Sequence, residues 1–474
     1  MAHDPQLPGT ERILPHPRRS AQLVCVIVPI LLWFAPVPTA ATTRHALAIA
    51  AFMVLAWITE IMDHAVSGLI GCFLFWALGI VPFHIAFSGF ADATPWFTLG
   101  AMLIGAMTVK SGLARRLAYL VMRPVGVTYP RILLGLLITD LILTLIVPSG
   151  IARIVILAAI ALGLVEAFAV RSGSNVARGM FLLLTYSAAL FDKMIIAGAS
   201  SIAARGLIEA NTGLEVQWSR WFLAFLPCDL VTVIAGWGLA LWLFPPETTE
   251  PDGGTTYFRQ ELSKIGALTA AEIKASLLVT SATALWMTDF IHHISPAKIG
   301  LGAGLAALLP GIGQLDTEDM KRLNYLPIFF VASALAMGNV LAATGGLDLL
   351  TKAVFSWMAP FLTGTLAATV VLYWSAFAYH IILSSDVAML STSVPLLMTF
   401  AKEHGFNPLL LGMIWTFSSA GKIFVYQSAV LVVGYSYGYF TTRDLFRFGF
   451  LLTVVEFLIA VPMVTLYWPL IGIQ

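Results

Sequence analysis

The chain has 474 residues, 59% of them hydrophobic and only 11% charged, with a mean hydropathy of +0.89. Soluble domains carry roughly 25% charged residues, so this composition excludes a water-soluble globular protein and indicates an integral membrane protein. The net charge of +1 offers nothing for nucleic acid, and the three cysteines, Cys25, Cys72 and Cys228, lie in apolar surroundings without metal or redox spacing.

Residues 1–20 are polar and Pro-rich, precede a full-length apolar stretch and lack a small-residue cleavage site. They are expected to be a cytoplasmic tail rather than a removable signal peptide. Crossing a bilayer takes about 17–25 apolar residues. On that basis spans are expected near 21–37, 44–60, 65–82, 93–109, 178–209, 221–244, 276–291, 298–313, 325–343, 407–439 and 448–471. Two more apolar runs are interrupted, 130–168 by Pro148-Ser149-Gly150 and 365–400 by Ser384-Ser385-Asp386. Each is expected to be a re-entrant hairpin, because irregular backbone at membrane depth is tolerated only inside protein or along a wet cavity. The segment 246–275 reads as a cytoplasmic linker with a surface helix around Glu261–Lys274. With the N-terminus in the cytoplasm, most of the 26 Lys and Arg residues fall on the cytoplasmic side.

The two halves echo each other. An offset of 229 residues separates Lys193 from Lys422, and the same offset separates Glu60 (AWITE) from Asp289 (LWMTD). Ser149 (VPSGIAR) and Ser385 (LSSDVAM) are 236 apart. The expected architecture is therefore all-α. It has about eleven transmembrane helices, two re-entrant hairpins and two broken helices, in inverted repeats over 44–245 and 276–474, after a first span and loop at 21–43.

The spans 178–209 and 407–439 are too long and too polar at their centres for plain helices. Their breaks are expected at Phe191-Asp192-Lys193 and at Ser418-Ser419-Ala420-Gly421-Lys422. Broken helices expose backbone groups and half-dipoles that hold ions and anionic substrates. An ionisable residue at bilayer depth costs at least about 2.5 kcal/mol, so it is a functional candidate by default. The candidates are Lys193, Lys422, Asp192 and Asp386 for a cation site or its replacement. Ser149, Gly150, Arg153, Ser384, Ser385 and Asp386 are the candidates for substrate. The bland alternative is that Asp192, Lys193, Lys422 and Asp386 only pair to fix helix packing, and that Arg153 snorkels. Glu60 and Asp289 read as structural, the histidines His64, His292 and His293 as surface residues. Trp57, Trp286 and most other aromatics read as lipid-facing or interfacial.

The chain resembles the divalent anion–sodium symporters, which move dicarboxylates, tricarboxylates or sulfate. The likeness runs from about residue 44 to the end and includes WITE (57–60), FSGFADATPWFTLGAMLIGAMTVKSGLARRLA (87–118) and SRWFLAFLP (219–227). It implies a homodimer whose mobile transport domain, built from hairpins and broken helices, works as an elevator. Members of that family carry Ser-Asn-Thr at each hairpin tip, where sodium and substrate carboxylates bind. Here the triplets are Ser149-Gly150-Ile151 and Ser385-Asp386-Val387, and lysines face them. Only Ser149 and Ser385 carry over.

Function is accordingly expected to be secondary transport of a small divalent anion (dicarboxylate, sulfonate or sulfate) in the cell (inner) membrane, with lysines standing in for sodium ions. A lysine ammonium is a compact tethered charge. The coupling would then be to protons or to a counter-anion. The alternative is an ordinary sodium symporter with sites rebuilt from Ser149, Ser385, Asp386 and carbonyls. A membrane enzyme or channel is disfavoured: the chain has no HExxH, no Walker glycine loop and no GxSxG. No cofactor beyond a coupling Na+ or H+ is expected.

Overall fold

The computed structural model describes residues 19–36, 38–147, 149–171, 173–196, 198–250, 256–383 and 385–473, the side chains of Arg19 and 256–259 excepted. Nearly all of the expected tail, with Pro148 and Ser384 of the two tips, lies outside the described residues. Among the described residues there are no strands. The principal helices are α1 (Arg19–Phe34), α2 (Ala41–Thr59), α3 (His64–Ala77), α4 (Ala93–Lys110), α5 (Leu113–Val125), α6 (Tyr129–Thr144), α7 (Gly150–Ala167), α8 (Asn175–Met194), α9 (Ala199–Thr212) and α10 (Trp218–Leu243). Then follow α11 (Thr256–Ile265), α12 (Ala270–Met287), α13 (Pro296–Ala306), α14 (Leu326–Ala343), α15 (Gly346–Phe355), α16 (Thr365–Ile382), α17 (Asp386–Glu403), α18 (Pro408–Ser418), α19 (Ala429–Ser436) and α20 (Thr442–Pro462).

Seven described helices are long and apolar enough to cross a bilayer, or eight if the bent pair α4 and α5 is one span. The chain is a multi-pass integral membrane protein. Large apolar side chains remain exposed along these helices, for example Ile234, Trp242, Leu366 and Leu458. Such a surface is stable against hydrocarbon and not against water.

Both interrupted runs form two helices joined by a short turn, α6–α7 and α16–α17. Their second arms start alike: Ser149 Oγ accepts from Ala152 N at 3.3 Å, and Ser385 Oγ accepts from Ala388 N at 3.2 Å. A serine cap satisfies one of the free amides of a helix start. Both long polar-centred spans are broken, between α8 and α9 and between α18 and α19.

The first break is displaced from its expected place. Phe191, Asp192 and Lys193 belong to the last turns of α8, and the chain leaves helical geometry only at Ile195 (φ −120°, ψ 146°). The helix ends at Met194, and Gly198 is the N-cap of α9, where a β-carbon would lie 2.3 Å from Asp192 O. The second break falls where expected, after Ser418. It is longer, with a single 3-10 turn at Val425–Gln427.

The linker helix is also displaced. It spans Thr256–Ile265, stops before Gly266 (φ 74°), and Thr269 then caps α12. Helix α5, unforeseen, bends away from α4 by 68° and presents Arg115 and Arg123 outward, while Arg116 is buried against Glu272. The tryptophans Trp57 and Trp286 correct the expectation of a lipid-facing belt. Both are buried, and their indole N–H groups donate to His64 O and Pro296 O, each at 3.1 Å. A buried indole needs such an acceptor. Asp289 ties the start of α10, accepting from Trp218 N at 2.6 Å and Ser219 Oγ at 2.5 Å.

Helix packing has a reciprocal pattern. Helix α4 lies against α13, and α3 against α14; α7 lies against α19, and α9 against α17. Glycines make the first contact close: a β-carbon on Gly100 would sit 2.3 Å from Gly300 O. Small residues permit such approach inside membranes.

Candidate functional site

The turn between α6 and α7 and the end of α8 form one charged cluster. Arg153, fully buried, donates from Nε to Asp140 Oδ1 (2.9 Å), from Nη1 to Val147 O (3.2 Å) and Asp192 Oδ1 (3.3 Å), and from Nη2 to Ala188 O (2.7 Å). Ser187 donates to the other oxygen of Asp140 at 2.6 Å. The guanidinium fork thus locks the tip to α6 and α8. A β-carbon on Gly150 would meet Val430 Cγ2 at 2.8 Å and Ala188 O at 3.0 Å, so the tip sits hard against α8 and α19.

The second tip is built differently. Asp386, at the start of α17, lies 3.1 Å from Lys422 Nζ and 3.5 Å from His380 Nε2. Lys422 also donates to Ser419 O at 3.3 Å. Gln427 braces the break: its Oε1 accepts from Ile423 N (2.7 Å) and Phe424 N (2.8 Å), and its Nε2 donates to His380 O (3.2 Å).

The two lysines are equally buried, each with 1% of its surface exposed. Their carbonyls are treated alike: Trp221 Nε1 donates to Lys193 O at 2.8 Å, and Tyr186 OH donates to Lys422 O at 2.7 Å. Their ammonium groups are not. Lys422 has Asp386. Lys193 Nζ has no hydrogen-bond partner and forms no ion pair within 4.0 Å among the described residues. The charges acting on it are those of Lys422, Asp386, Glu456 and Asp229.

The expected residues thus fall into two groups. Ser149, Gly150, Arg153 and Asp192 meet at the first tip, and Ser385, Asp386 and Lys422 at the second. Asp192 feels the charges of Asp386 and Lys422, so the groups adjoin. The side chains of Asp192 and Asp386 are 17% and 14% exposed, and Ser149 and Ser385 are likewise half-buried, so the tips form the accessible edge of the cluster. Five more buried polar residues belong here: Asp140, His380, Asp229, Glu456 and Tyr373. Each acidic one stands alone in an apolar run (LLITDLIL, LPCDLVTV, TVVEFLIA), and that isolation is the signal that marks it. No described group of His, Cys, Asp and Glu is arranged to hold a metal ion.

Comparison with known proteins agrees with this picture. The chain is 24% identical to the citrate/succinate antiporter of Escherichia coli K12, over 78% of this chain and 77% of that one. It is 24% identical to a putative malate transporter of Bacillus subtilis, over 95% and 96% of the two chains. It is also 24% identical to a chloroplastic dicarboxylate transporter of Spinacia oleracea, over 95% and 81%. These relatives are transporters and not enzymes. The family model for the sodium:sulfate symporter transmembrane region matches residues 18–474. The chain therefore belongs to the sodium:sulfate symporter family.

Proposed function

We propose that the chain is a secondary active transporter of small divalent anions, dicarboxylates foremost, and that it works without a bound sodium ion. Lys193 carries this reading. A buried ammonium with no hydrogen-bond or ion-pair partner in reach is strongly disfavoured in low dielectric unless an anion joins it. Its position at the end of α8, beside the Lys422–Asp386 pair, gives an arriving dianion two cations to bridge. Lysine in place of sodium ties the charge to the protein, so the cation cannot dissociate on either side. Exchange or proton coupling follows more naturally than sodium symport. The names of the relatives support dicarboxylates; sulfonate and sulfate share the same charge and remain within the class.

In this reading Lys193, Lys422 and the capped tips at Ser149 and Ser385 form the anion site, with Asp386 as the group the anion displaces from Lys422. Arg153 and Asp192 brace the first tip. The reciprocal packing of α3 and α4 with α14 and α13, and of α7 and α9 with α19 and α17, supports two inverted repeats. We further read the two helix pairs as re-entrant hairpins of a transport domain moving as an elevator in a homodimer. The N-terminus would face the cytoplasm and the membrane would be the cell (inner) membrane.

The test is counterflow. Proteoliposomes loaded with unlabelled succinate should accumulate external labelled succinate, competed by malate and less so by monocarboxylates. No accumulation with succinate, malate, citrate or sulfate would sink the reading.

A further inference from the structure

Beyond the tips, the core between α8, α10, α16 and α20 holds a second group of charges. Asp229 on α10 and Glu456 on α20 are 2% and 1% exposed. Asp229 Oδ2, Glu456 Oε1 and the Thr232 hydroxyl, all buried, have no hydrogen-bond partner. The cation acting on both carboxylates is Lys193, which is itself unpartnered and 1% exposed. Around them stand Lys422 from the α18–α19 break, Tyr373 from α16 and Cys228 beside Asp229.

The charges divide unevenly. At the first tip Arg153 serves Asp140 and Asp192, and at the second Lys422 serves Asp386. That leaves Lys193 alone to face both Asp229 and Glu456. Two ionised carboxylates in each other's field, out of reach of water and short of donors, are not a stable arrangement; one proton held between them removes the excess charge. Tyr373 offers the pair a single donor. Its hydroxyl lies 2.9 Å from Thr453 O and 3.2 Å from Glu456 Oε2. A phenol has one proton to give. Shared between Thr453 O and Glu456 Oε2, it leaves Glu456 with only part of one hydrogen bond.

We propose that Asp229 and Glu456 form a proton-binding pair, sharing Lys193 with the anion site, and that this pair couples anion movement to proton movement. A dianion arriving at Lys193 takes over the charge that had served the carboxylates, so the pair gains affinity for a proton. Binding linkage is reciprocal, so a proton on the pair favours the anion. The proton enters from water on one side, resides on a carboxylate oxygen, and leaves to water on the other side with the anion. This rests on the transport reading above for its consequence, but the protonation itself does not.

Two measurements separate these. Infrared difference spectra of the full-length protein in lipid should show a protonated-carboxyl C=O band at neutral pH that is lost in Glu456→Gln, or in Asp229→Asn if the proton sits there. A spectrum unchanged in both variants, or a band removed by adding sodium chloride, overturns the proposal; the latter would make the site a sodium site. In proteoliposomes with the potential clamped, one proton per anion predicts about tenfold greater accumulation of labelled succinate per pH unit of inward gradient. In Glu456→Gln the ratio of uptake with and without the gradient should fall to one. A retained ratio overturns the coupling. If no protein takes up succinate, the transport reading fails, and the infrared band still decides the site.

Discussion

The two tips occupy equivalent places in the chain but handle charge in opposite ways. At the first, the carboxylate lies on α8 (Asp192), an arginine on the tip helix grips it together with Asp140, and the lysine beside it is left free. At the second, the carboxylate is on the tip itself (Asp386) and the lysine of the broken helix takes it. The first tip is fixed by a fork with four acceptors; the second is held by one ammonium and a break of ten residues between α18 and α19. The difference teaches that one half supplies rigidity and an unspent charge, and the other an ion pair that an anion can open.

The sharpest way to break this contrast is to remove the fork. Arg153→Ala strands Asp140 in the core, and losing one partner of a buried pair costs about 3–5 kcal/mol. Thermal unfolding of the purified protein should show the largest Tm loss of any substitution named here, with Arg153→Lys only partly restoring it. An unchanged Tm would mean that the fork is not what fixes the tip. The lysines come next. Lys422→Ala leaves Asp386 unpaired and should cost about 1–3 kcal/mol, whereas Lys193→Ala, which removes no hydrogen bond and no ion pair, should lower the Tm by less. Equal losses would erase the distinction between the halves. Gly150 and Asp386 follow the capping serines in each tip, yet only the second accommodates a side chain. Gly150→Ala forces a β-carbon against Val430 and Ala188 O and should cost about 1–3 kcal/mol.

The smallest effect lies outside the spans. Arg116 donates to Glu272 at 2.6 Å, and this hydrogen bond holds the carboxyl down at about 2. A lowered folded value means that the pair stabilises above the unfolded value of 4.5 and that the contribution is lost as pH falls from there through about 2. The Tm gap between wild type and Glu272→Gln should therefore be constant above pH ~5 and close below it.

Much of this was legible in the sequence, and the reasons are specific. Long apolar runs have few alternatives to helices, and the polar interruptions Pro148-Ser149-Gly150 and Ser384-Ser385-Asp386 divide two of them, so the helix pairs could be read. Glycine and serine at 418–421 mark the second break. At the first, charge imitates irregularity: Asp192 and Lys193 are at home in a helix end when Arg153 and the core meet them, and the chain leaves the helix only at Ile195. The partners of Arg153 were out of reach, since Asp140 and Ala188 approach it only through packing. Asp229 and Glu456 were within reach, as lone acids in apolar spans, but nothing in their spacing says that they face the same lysine.

The central claim is that tethered lysine charge replaces sodium. It is tested most directly by the initial rate of labelled succinate uptake into succinate-loaded proteoliposomes, with sodium replaced by choline, for wild type and Lys193→Ala. The account predicts a wild-type rate indifferent to sodium and a rate at least about tenfold lower in Lys193→Ala, the loss expected from about 1.4 kcal/mol or more of anion binding. Wild-type uptake that collapses in choline, with Lys193→Ala unimpaired in sodium, would contradict it.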